Sequence, residues 1–332
     1  MRKIKIAHIG LNTNSHSVDV YKTLLRHSDI FDVVGYALPS GEKERLAHKI
    51  PQLAVRPELS LEQILNDPTI EAVTVETDEI YTTKYAIMAA EHGKHIHMEK
   101  PGGREIEDFE KLISIVKKTG KIFHTGYMYR YNPLVQQLMK RIKAGELGEI
   151  INVEAQMNCY HPPEVRAWLG ELPGGMMFFL GCHLVDLVMQ IKGVPDNIVP
   201  FNRASGLDGV DTIDCGMAVL EYKDGVSFVK TTAIERGGFQ RRQLVVTGTK
   251  GTVEIKPLER AVDGGQISKQ VYYDSENWHV NGEETVSEVH GRYDSMMTAF
   301  AAMVRGEMTN PWSPDYELEL YKNVLKCCAV NN

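Results

Sequence analysis

The feature that most constrains this chain is the alternation, over its first 125 residues, of short β-type runs with helical segments. Ile4 to Gly10, Phe31 to Leu38, Ala72 to Val75, His95 to Met98 and Lys121 to Thr125 read as strands. Between them, Ser17 to His27 carries helical spacing at Val18, Tyr21, Leu24 and Leu25. Leu59 to Leu65 reads as a short helix that stops near Asn66-Asp67-Pro68, and Tyr81 to His92 and Glu105 to Lys118 as longer ones. Strands alternating with helices imply βαβ units and a parallel sheet. Right-handed crossovers then line the strand-to-helix loops along one edge, where ligands bind.

From Glu149 the texture changes. Ile150 to Met157, Asp214 to Tyr222, Val226 to Ile234, Arg242 to Thr247 and Thr252 to Lys256 are β-rich and separated by turns such as Lys223-Asp224-Gly225. Consecutive strands without helices between them predict a largely antiparallel sheet. One helical segment, Leu180 to Ile191, interrupts the strands, and two more, near Tyr293 to Val304 and Asp315 to Ala329, close the chain. The fold class expected is α/β: a Rossmann-like parallel-sheet domain over residues 1–125, then an α+β domain with an open, largely antiparallel sheet over 126–332. At 332 residues the chain exceeds what one core usually serves. The junction falls between Gly126 and Gly148, and the closing helices are free to return to the first domain.

Composition narrows the partners. A formal net charge of −7 argues against nucleic acid or anionic membrane as the main target. Five scattered cysteines with no C-x-x-C pair fit a reducing compartment and neither a disulfide framework nor a zinc site. The run Ile4 to Ile9 is too short for a signal peptide or a spanning helix. The expected location is the cytoplasm, with no metal.

Glu99-Lys100-Pro101-Gly102-Gly103 follows the strand His95 to Met98. Proline holds Lys100 out of helical geometry, and the carboxyl end of a parallel strand is where such a sheet places a reacting group. Taken alone, the tripeptide reads as a surface turn with a solvated lysine, and the rest of the chain has to decide otherwise. A dinucleotide fingerprint G-x-G-x-x-G would fall on Gly10, Asn12 and Ser15, of which Gly10 alone is glycine. Asn12 tolerates left-handed geometry, Ser15 can help cap the helix, and a helix N-terminus attracts phosphate. The second strand ends without the acid that binds a ribose. Ser40, Lys43 and Arg45 follow it, either to hold a 2′-phosphate or, for Lys43 and Arg45, as a solvated helical face with Glu42 and Glu44. His95 and His97 point one way, as a metal pair lacking a third ligand or as core histidines.

Three motifs in order carry a family resemblance. Glu91-His92-Gly93-Lys94-His95-Ile96 leads into Glu99-Lys100-Pro101; Gly126-Tyr127-Met128-Tyr129-Arg130-Tyr131-Asn132-Pro133 follows; Gly174-Gly175 and Gly181-Cys182-His183-Leu184-Val185-Asp186 complete the set. Over nearly its full length the chain resembles the glucose-fructose oxidoreductase / inositol dehydrogenase (Gfo/Idh/MocA) family. The resemblance implies NAD or NADP as cofactor and oxidation or reduction of a hydroxyl or ketone of a sugar, cyclitol or related polyol. It also implies a homodimer or homotetramer through the C-terminal sheet. Lys100 and His183 are then the acid/base groups. The cofactor-binding candidates are Gly10, Asn12, Thr13, Ser15, Ser40, Thr77, Asp78, Glu99, Lys100 and Arg130. The substrate-binding candidates are Tyr127, Asp186 and, on the Pro-broken loop Asn158 to Pro173, Tyr160, Arg166 and Trp168.

The chain departs from the family pattern at four places. They are the glycine loop, the ribose position, Thr77-Asp78-Glu79-Ile80-Tyr81-Thr82 in place of "TPN-x-x-H", and Phe179 in place of an aspartate four residues before His183. Oxidising an alcohol needs a group to take the hydroxyl proton as hydride leaves. Lys100 does this where burial or neighbouring charge lowers its pKa, and His183, which titrates near neutrality, can relay the proton. His183, Asp186 and Gln190 share one helical face. Without its motif, His183 reads as an ordinary helix histidine. The alternative function is a non-catalytic sensor of sugar or nucleotide on the same fold, favoured by the departures around the cofactor.

Overall fold

The structure, a computed structural model, describes residues 2–330. The chain forms two compact units, Met1–Tyr127 with Tyr293–Tyr321, and Met128–Arg292 with Lys322–Asn332.

In the first unit, β1 (Ile4–Ile9), β2 (Phe31–Ala37), β3 (Ala72–Val75), β4 (His95–Met98) and β5 (Phe123–Thr125) pair in parallel in the order β2-β1-β3-β4-β5. All four residues of β3 are buried, as a strand covered on both faces requires. The helices of its N-terminal stretch are α1 (Ser17–Arg26), α2 (Glu42–Arg45), α3 (Leu61–Asn66), α4 (Thr82–Glu91) and α5 (Ile106–Thr119), and the closing stretch adds helices Asp294–Val304 and the start of Pro314–Cys327. Helix α1 buries Val20, Tyr21 and Leu24. Helix α3 starts at a capping box between Ser60 and Gln63. The strand order reverses direction between β1 and β3, so the loops leaving their carboxyl ends flank a topological switch point. The C-terminal segment joins this unit: the Thr125 hydroxyl donates to Glu317 Oε1 at 2.8 Å, and Tyr321 Oη to the Gly103 carbonyl at 2.7 Å.

The second unit begins with α6 (Pro133–Lys143), unanticipated in the stretch read as a junction. Asn132 caps it by accepting from the N–H groups of Leu134 and Val135, and Pro133 occupies the first helical position. A nine-stranded sheet follows. Its strands are β6 (Ile150–Asn158), β7 (Asn197–Pro200), β8 (Arg203–Ala204), β9 (Ile213–Tyr222), β10 (Gly225–Thr232), β11 (Gln243–Gly248), β12 (Thr252–Ile255), and, past the hairpin of β13 (Arg260–Val262) and β14 (Gly265–Ile267), β15 (Lys269–Tyr273) and β16 (Glu283–Val286). β6 and β10 run parallel, and the sheet's other pairings are antiparallel. In β9, Asp214, Gly216, Ala218 and Leu220 are buried while the alternate residues are half-exposed, so one sheet face carries the core. The stretch 158–173, expected as an irregular loop, contains α7 (Pro163–Trp168) and a 3₁₀ turn, Leu169–Glu171. Pro162 and Pro163 pre-set its φ angles. Helix α8 (Cys182–Lys192) is preceded by a π-helical turn, Met177–Gly181, so the helical path starts before the expected Leu180.

Candidate active site

In the first unit, three strand-end loops converge. Gly10 ends β1 with φ +92°, and a Cβ there would lie 2.3 Å from Thr77 Cγ2 on the loop after β3. Only glycine fits that approach. Asn12 is not left-handed; among the described residues, the positive-φ residues other than glycine are Asp208 and Ala329. Asn12 instead brackets the start of α1 with Ser17. Its N–H donates to Ser17 Oγ at 3.2 Å, while its Oδ1 accepts from the Ser17 N–H at 3.3 Å and hydroxyl at 3.1 Å. Ser15 does not cap the helix. Its hydroxyl donates to Glu79 Oε1 at 2.5 Å and lies 3.3 Å from Glu99 Oε1.

The Thr13 N–H donates to Asp78 Oδ1 at 2.6 Å, and Arg45 Nη1 lies 2.7 Å from Asp78 Oδ2. Lys49 Nζ donates to the carbonyls of Asn12 and Thr13 at 2.7 and 2.8 Å. The loop therefore already presents a backbone N–H to an oxyanion, the carboxylate of Asp78. A loop of this kind at the switch point fits the phosphates of a dinucleotide, and Gly10, Thr13 and the first turn of α1 are the residues that would hold them. After β2, Lys43 and Arg45 lie exposed on α2, Lys43 paired with Glu58 at 2.7 Å and Arg45 with Asp78. Glu42 is buried, and its Oε2 accepts from the Ser40 N–H at 2.5 Å. Burial pushes its carboxyl pKa up against the backbone N–H groups that favour the charged form. The Ser40 hydroxyl is buried without a hydrogen-bond partner. Glu42, expected with Glu44 on a solvated helical face, is instead turned inward at the start of α2.

Lys100 is 4% exposed and joined to Pro101 by a cis peptide bond. Its Nζ lies 3.5 Å from Glu99 Oε1. Glu76 and Glu79, both 0% exposed, complete a group of three carboxyls. Burial raises Glu76 to about 8, Glu79 to about 7 and Glu99 to about 7, each against the pull of Lys100. Gly126 makes room for Glu99: a Cβ there would lie 2.8 Å from Glu99 Oε2. His97 Nε2 is 3.4 Å from Glu76 Oε1, and His97 Nδ1 is 2.8 Å from His124 Nδ1. His95 has a different task, accepting from the Ile122 N–H at 3.0 Å. Among the described residues no three His, Cys, Asp or Glu side chains are placed to hold a metal ion. Thr77 is buried, with its hydroxyl 3.3 Å from the Asp78 carbonyl; Tyr127 is 1% exposed.

In the second unit, His183 lies in the first turn of α8, 3% exposed. The Tyr129 ring meets it edge-on at 5.5 Å. Tyr129 Oη donates to Glu259 Oε1 at 2.7 Å; Arg242 pairs with the same oxygen, and Arg292 Nη2 lies 2.7 Å away. Burial would raise Glu259, but the two guanidinium groups hold it at about 2. This network was not anticipated. Arg130 and Asp186 form a buried pair, with Nη2 to Oδ1 at 2.8 Å and Nε to Oδ2 at 3.0 Å, and Gln190 donates to Asp186 at 2.8 Å.

Phe179, on the π-helical turn, meets Trp168 edge-to-face at 5.1 Å and His161 at 6.3 Å. Burial lowers the His161 pKa, with Arg242 adding to the effect. Tyr160 is 40% exposed beneath the Arg236 guanidinium, 4.6 Å from its ring centre. The structure places Arg166 differently from a ligand-facing arginine. It is 0% exposed, and its guanidinium pairs with Asp208 and Asp214 and donates to the Leu207 carbonyl at 2.9 Å. Those partners take up its charge in bracing α7 against β9.

Two family models match the chain: residues 4–127 the oxidoreductase family with an NAD-binding Rossmann fold, and 135–254 the GFO/IDH/MocA C-terminal domain. The chain belongs to the Gfo/Idh/MocA oxidoreductase family. It is 27% identical over 228 residues to the scyllo-inositol 2-dehydrogenase (NADP(+)) IolW of Bacillus subtilis. That match covers 67% of this chain and 61% of the relative. A match to the uncharacterized oxidoreductase YhhX of Escherichia coli is 28% identical and covers 58% of this chain and 54% of the relative. The chain thus spans less than two thirds of the length of either. Among solved structures, the aldose-aldose oxidoreductase of Caulobacter crescentus superposes with a TM-score of 0.79 at 17% identity, covering 99% of this chain and 97% of that one. This likeness establishes the shared fold. No described helix is long and apolar enough to cross a membrane.

Proposed function

We propose that the protein is an NAD(P)-dependent oxidoreductase acting on a hydroxyl or ketone of a sugar, cyclitol or related polyol. The observation that carries this reading is the convergence on Lys100, at the carboxyl end of β4, of the loops leaving β1 and β3 beside the switch point. A bound nicotinamide supplies the hydride acceptor or donor. Lys100 hydrogen-bonds the carbinol oxygen and takes its proton on oxidation or returns it on reduction. Gly10 and Thr13 hold phosphate, with Asp78 moving off the Thr13 N–H, and Ser40 serves the ribose end. In the second unit His183 is the other acid/base group. Tyr129 fixes its ring face, the Arg130–Asp186 pair braces α8 from below, and Trp168, Phe179 and Tyr160 offer aromatic surface to an apolar sugar face. Self-association through the exposed face of the nine-stranded sheet belongs to the same reading, and sedimentation of the full chain tests it.

The decisive experiment titrates the protein with NADH and NADPH by fluorescence, then screens aldoses and cyclitols for nucleotide reduction. Lys100→Ala is expected to retain nucleotide binding and lose turnover. Failure of both nucleotides to bind at millimolar concentration overturns the reading. A second reading, a sugar or nucleotide sensor on this fold, is favoured by the Asp78 carboxylate that occupies the Thr13 N–H. Any substrate-dependent reduction of nucleotide by the wild-type chain eliminates it.

A further inference from the structure

Lys100 is accompanied by more acid than one ammonium can balance. Glu76 and Glu79 come from the end of β3 and the turn after it, Glu99 from the end of β4, and none is more than 6% exposed. A buried carboxylate without a compensating cation is retained as the neutral acid. With one lysine ammonium to balance three carboxyls, two of the three keep protons at neutral pH. Lys100 and His97 face them, besides the Ser15 hydroxyl, and His124 and His8 lie on the other side of His97.

His97 supplies an independent constraint. It is 0% exposed, and its Nε2, which has no hydrogen-bond partner, lies 3.4 Å from Glu76 Oε1. Its Nδ1 lies 2.8 Å from His124 Nδ1, so one of those two nitrogens carries hydrogen and the other does not. Burial lowers His97 to about 4, which leaves it neutral at pH 7. If His97 Nδ1 carries the hydrogen, its Nε2 is bare and can take a proton from un-ionised Glu76, 3.4 Å away. If His124 carries it, neutral His97 holds its proton on Nε2, facing Glu76. The first arrangement passes to the second when the Glu76 proton moves to His97 Nε2 while the His97 Nδ1 proton moves to His124 Nδ1, leaving Glu76 a carboxylate and His124 with one proton more.

We infer that Glu76, Glu79 and Glu99 form a buried store of exchangeable protons serving Lys100, with Ser15 linking Glu79 to Glu99 and His97 extending the store from Glu76 towards His124. This rests on the reading of Lys100 as the group that takes up the substrate proton. On oxidation, the Lys100 ammonium first passes its proton to the Glu99 carboxylate 3.5 Å away, leaving the amine that takes the alcohol proton; Lys100 is then again an ammonium, Glu99 is the acid, and the store holds one proton more, which is released before the next turnover. On reduction the same protons run back. Glu76, Glu79 and Glu99 are positioning residues: they act through Lys100, and none need touch substrate.

The test is infrared spectroscopy of the full chain, without nucleotide, across pH 5 to 9. The wild type is expected to show the C=O stretch of un-ionised carboxyl groups at pH 7, fading as pH rises through about 7 to 8. Glu76→Gln and Glu79→Gln should each remove part of that band, and Glu76→Gln should also shift the ring-nitrogen resonances of His97. Ser15→Ala, which leaves all three acids in place, should move the fading of the band to higher pH, because Ser15 favours ionised Glu79. A wild type without the band at pH 7, or a band unchanged in all three variants, overturns the inference. Nucleotide binding is read separately by fluorescence. Absent binding with the band present defeats the proposed reaction and leaves the store; binding with the band absent does the opposite.

Discussion

Replacing Glu76 by glutamine tests the electrostatics of the Lys100 site through stability alone. Glutamine keeps the shape and removes the titration. Burial raises the folded-state pKa of Glu76 from 4.5 to about 8, so the folded protein binds a proton that the unfolded chain has released. A raised pKa stabilises the fold below the unfolded value, and the contribution is lost as pH climbs through the folded one. Between pH 5.5 and 8 the linkage integral for this one group is roughly 3 kcal/mol of lost stability. Glu79 and Glu99, each at about 7, act in the same direction. They share the field of one lysine, so the three losses do not add. The assay is urea denaturation of wild type and Glu76→Gln at pH 5.5 and 8, followed by amide hydrogen exchange of β3 and β4 so that the first unit is read separately. The wild type is expected to lose more stability than the variant over this interval, with the difference on the order of 2–3 kcal/mol. Equal losses would refute the placement of Glu76 as an uncompensated buried acid.

Three other perturbations address different parts of the molecule. Asp78→Asn removes the anion from the Thr13 N–H and releases Arg45; NADH or NADPH affinity is expected to rise by a factor of about five, worth roughly 1 kcal/mol, with the exposure of Arg45 limiting the gain. Unchanged affinity in a fluorescence titration would mean that this contact does not oppose cofactor binding. Asp186→Ala removes the acid paired with the Arg130 guanidinium, which is 1% exposed, and is expected to cost roughly 3–5 kcal/mol in denaturant unfolding of the second unit. A loss below about 1 kcal/mol would show that water or another acid reaches Arg130 readily. Gly10→Ala forces a Cβ to within 2.3 Å of Thr77 at φ +92°, so a lowered thermal midpoint and loss of nucleotide binding are expected together.

The order of elements was legible because a parallel sheet buried on both faces writes itself as apolar runs separated by helices, as in Ala72–Val75 and His95–Met98. Helix α6 was hidden by context and not by chemistry: Asn132-Pro133 is an N-cap followed by proline at the first position, but it sits inside a motif read for its arginine. The neighbours of Lys100 were legible in principle. β3 and β4 pair Val75 with Met98, so the residues that follow, Glu76 and Glu99, leave adjacent parallel strands side by side. Reading Thr77-Asp78-Glu79 for what it lacked obscured what it contained. The Tyr129–Glu259–Arg242–Arg292 network carries no local signal, since its members come from four separate segments. The π-helical turn that carries Phe179 has none either.

The loop after β1 looks like a worn fingerprint when judged one glycine at a time, but its departures are not independent. Thr13 is held by Asp78, and Ser15 by Glu79, so the residues of the first loop that replace a glycine pattern contact residues of the third loop that replace "TPN". A glycine at position 15 would leave Glu79 without its hydroxyl donor, and a proline at 78 would leave the Thr13 N–H without its carboxylate. Each pair satisfies a buried polar group that a single reversion would orphan, at a typical cost of ~1–3 kcal/mol. The unit on which mutagenesis acts here is therefore the pair of loops. Loss of the glycines is then no argument by itself that the loop has stopped binding anions, because its N–H is still directed at one. What has changed is that the protein supplies that anion, and a nucleotide must compete with Asp78 for the same donor.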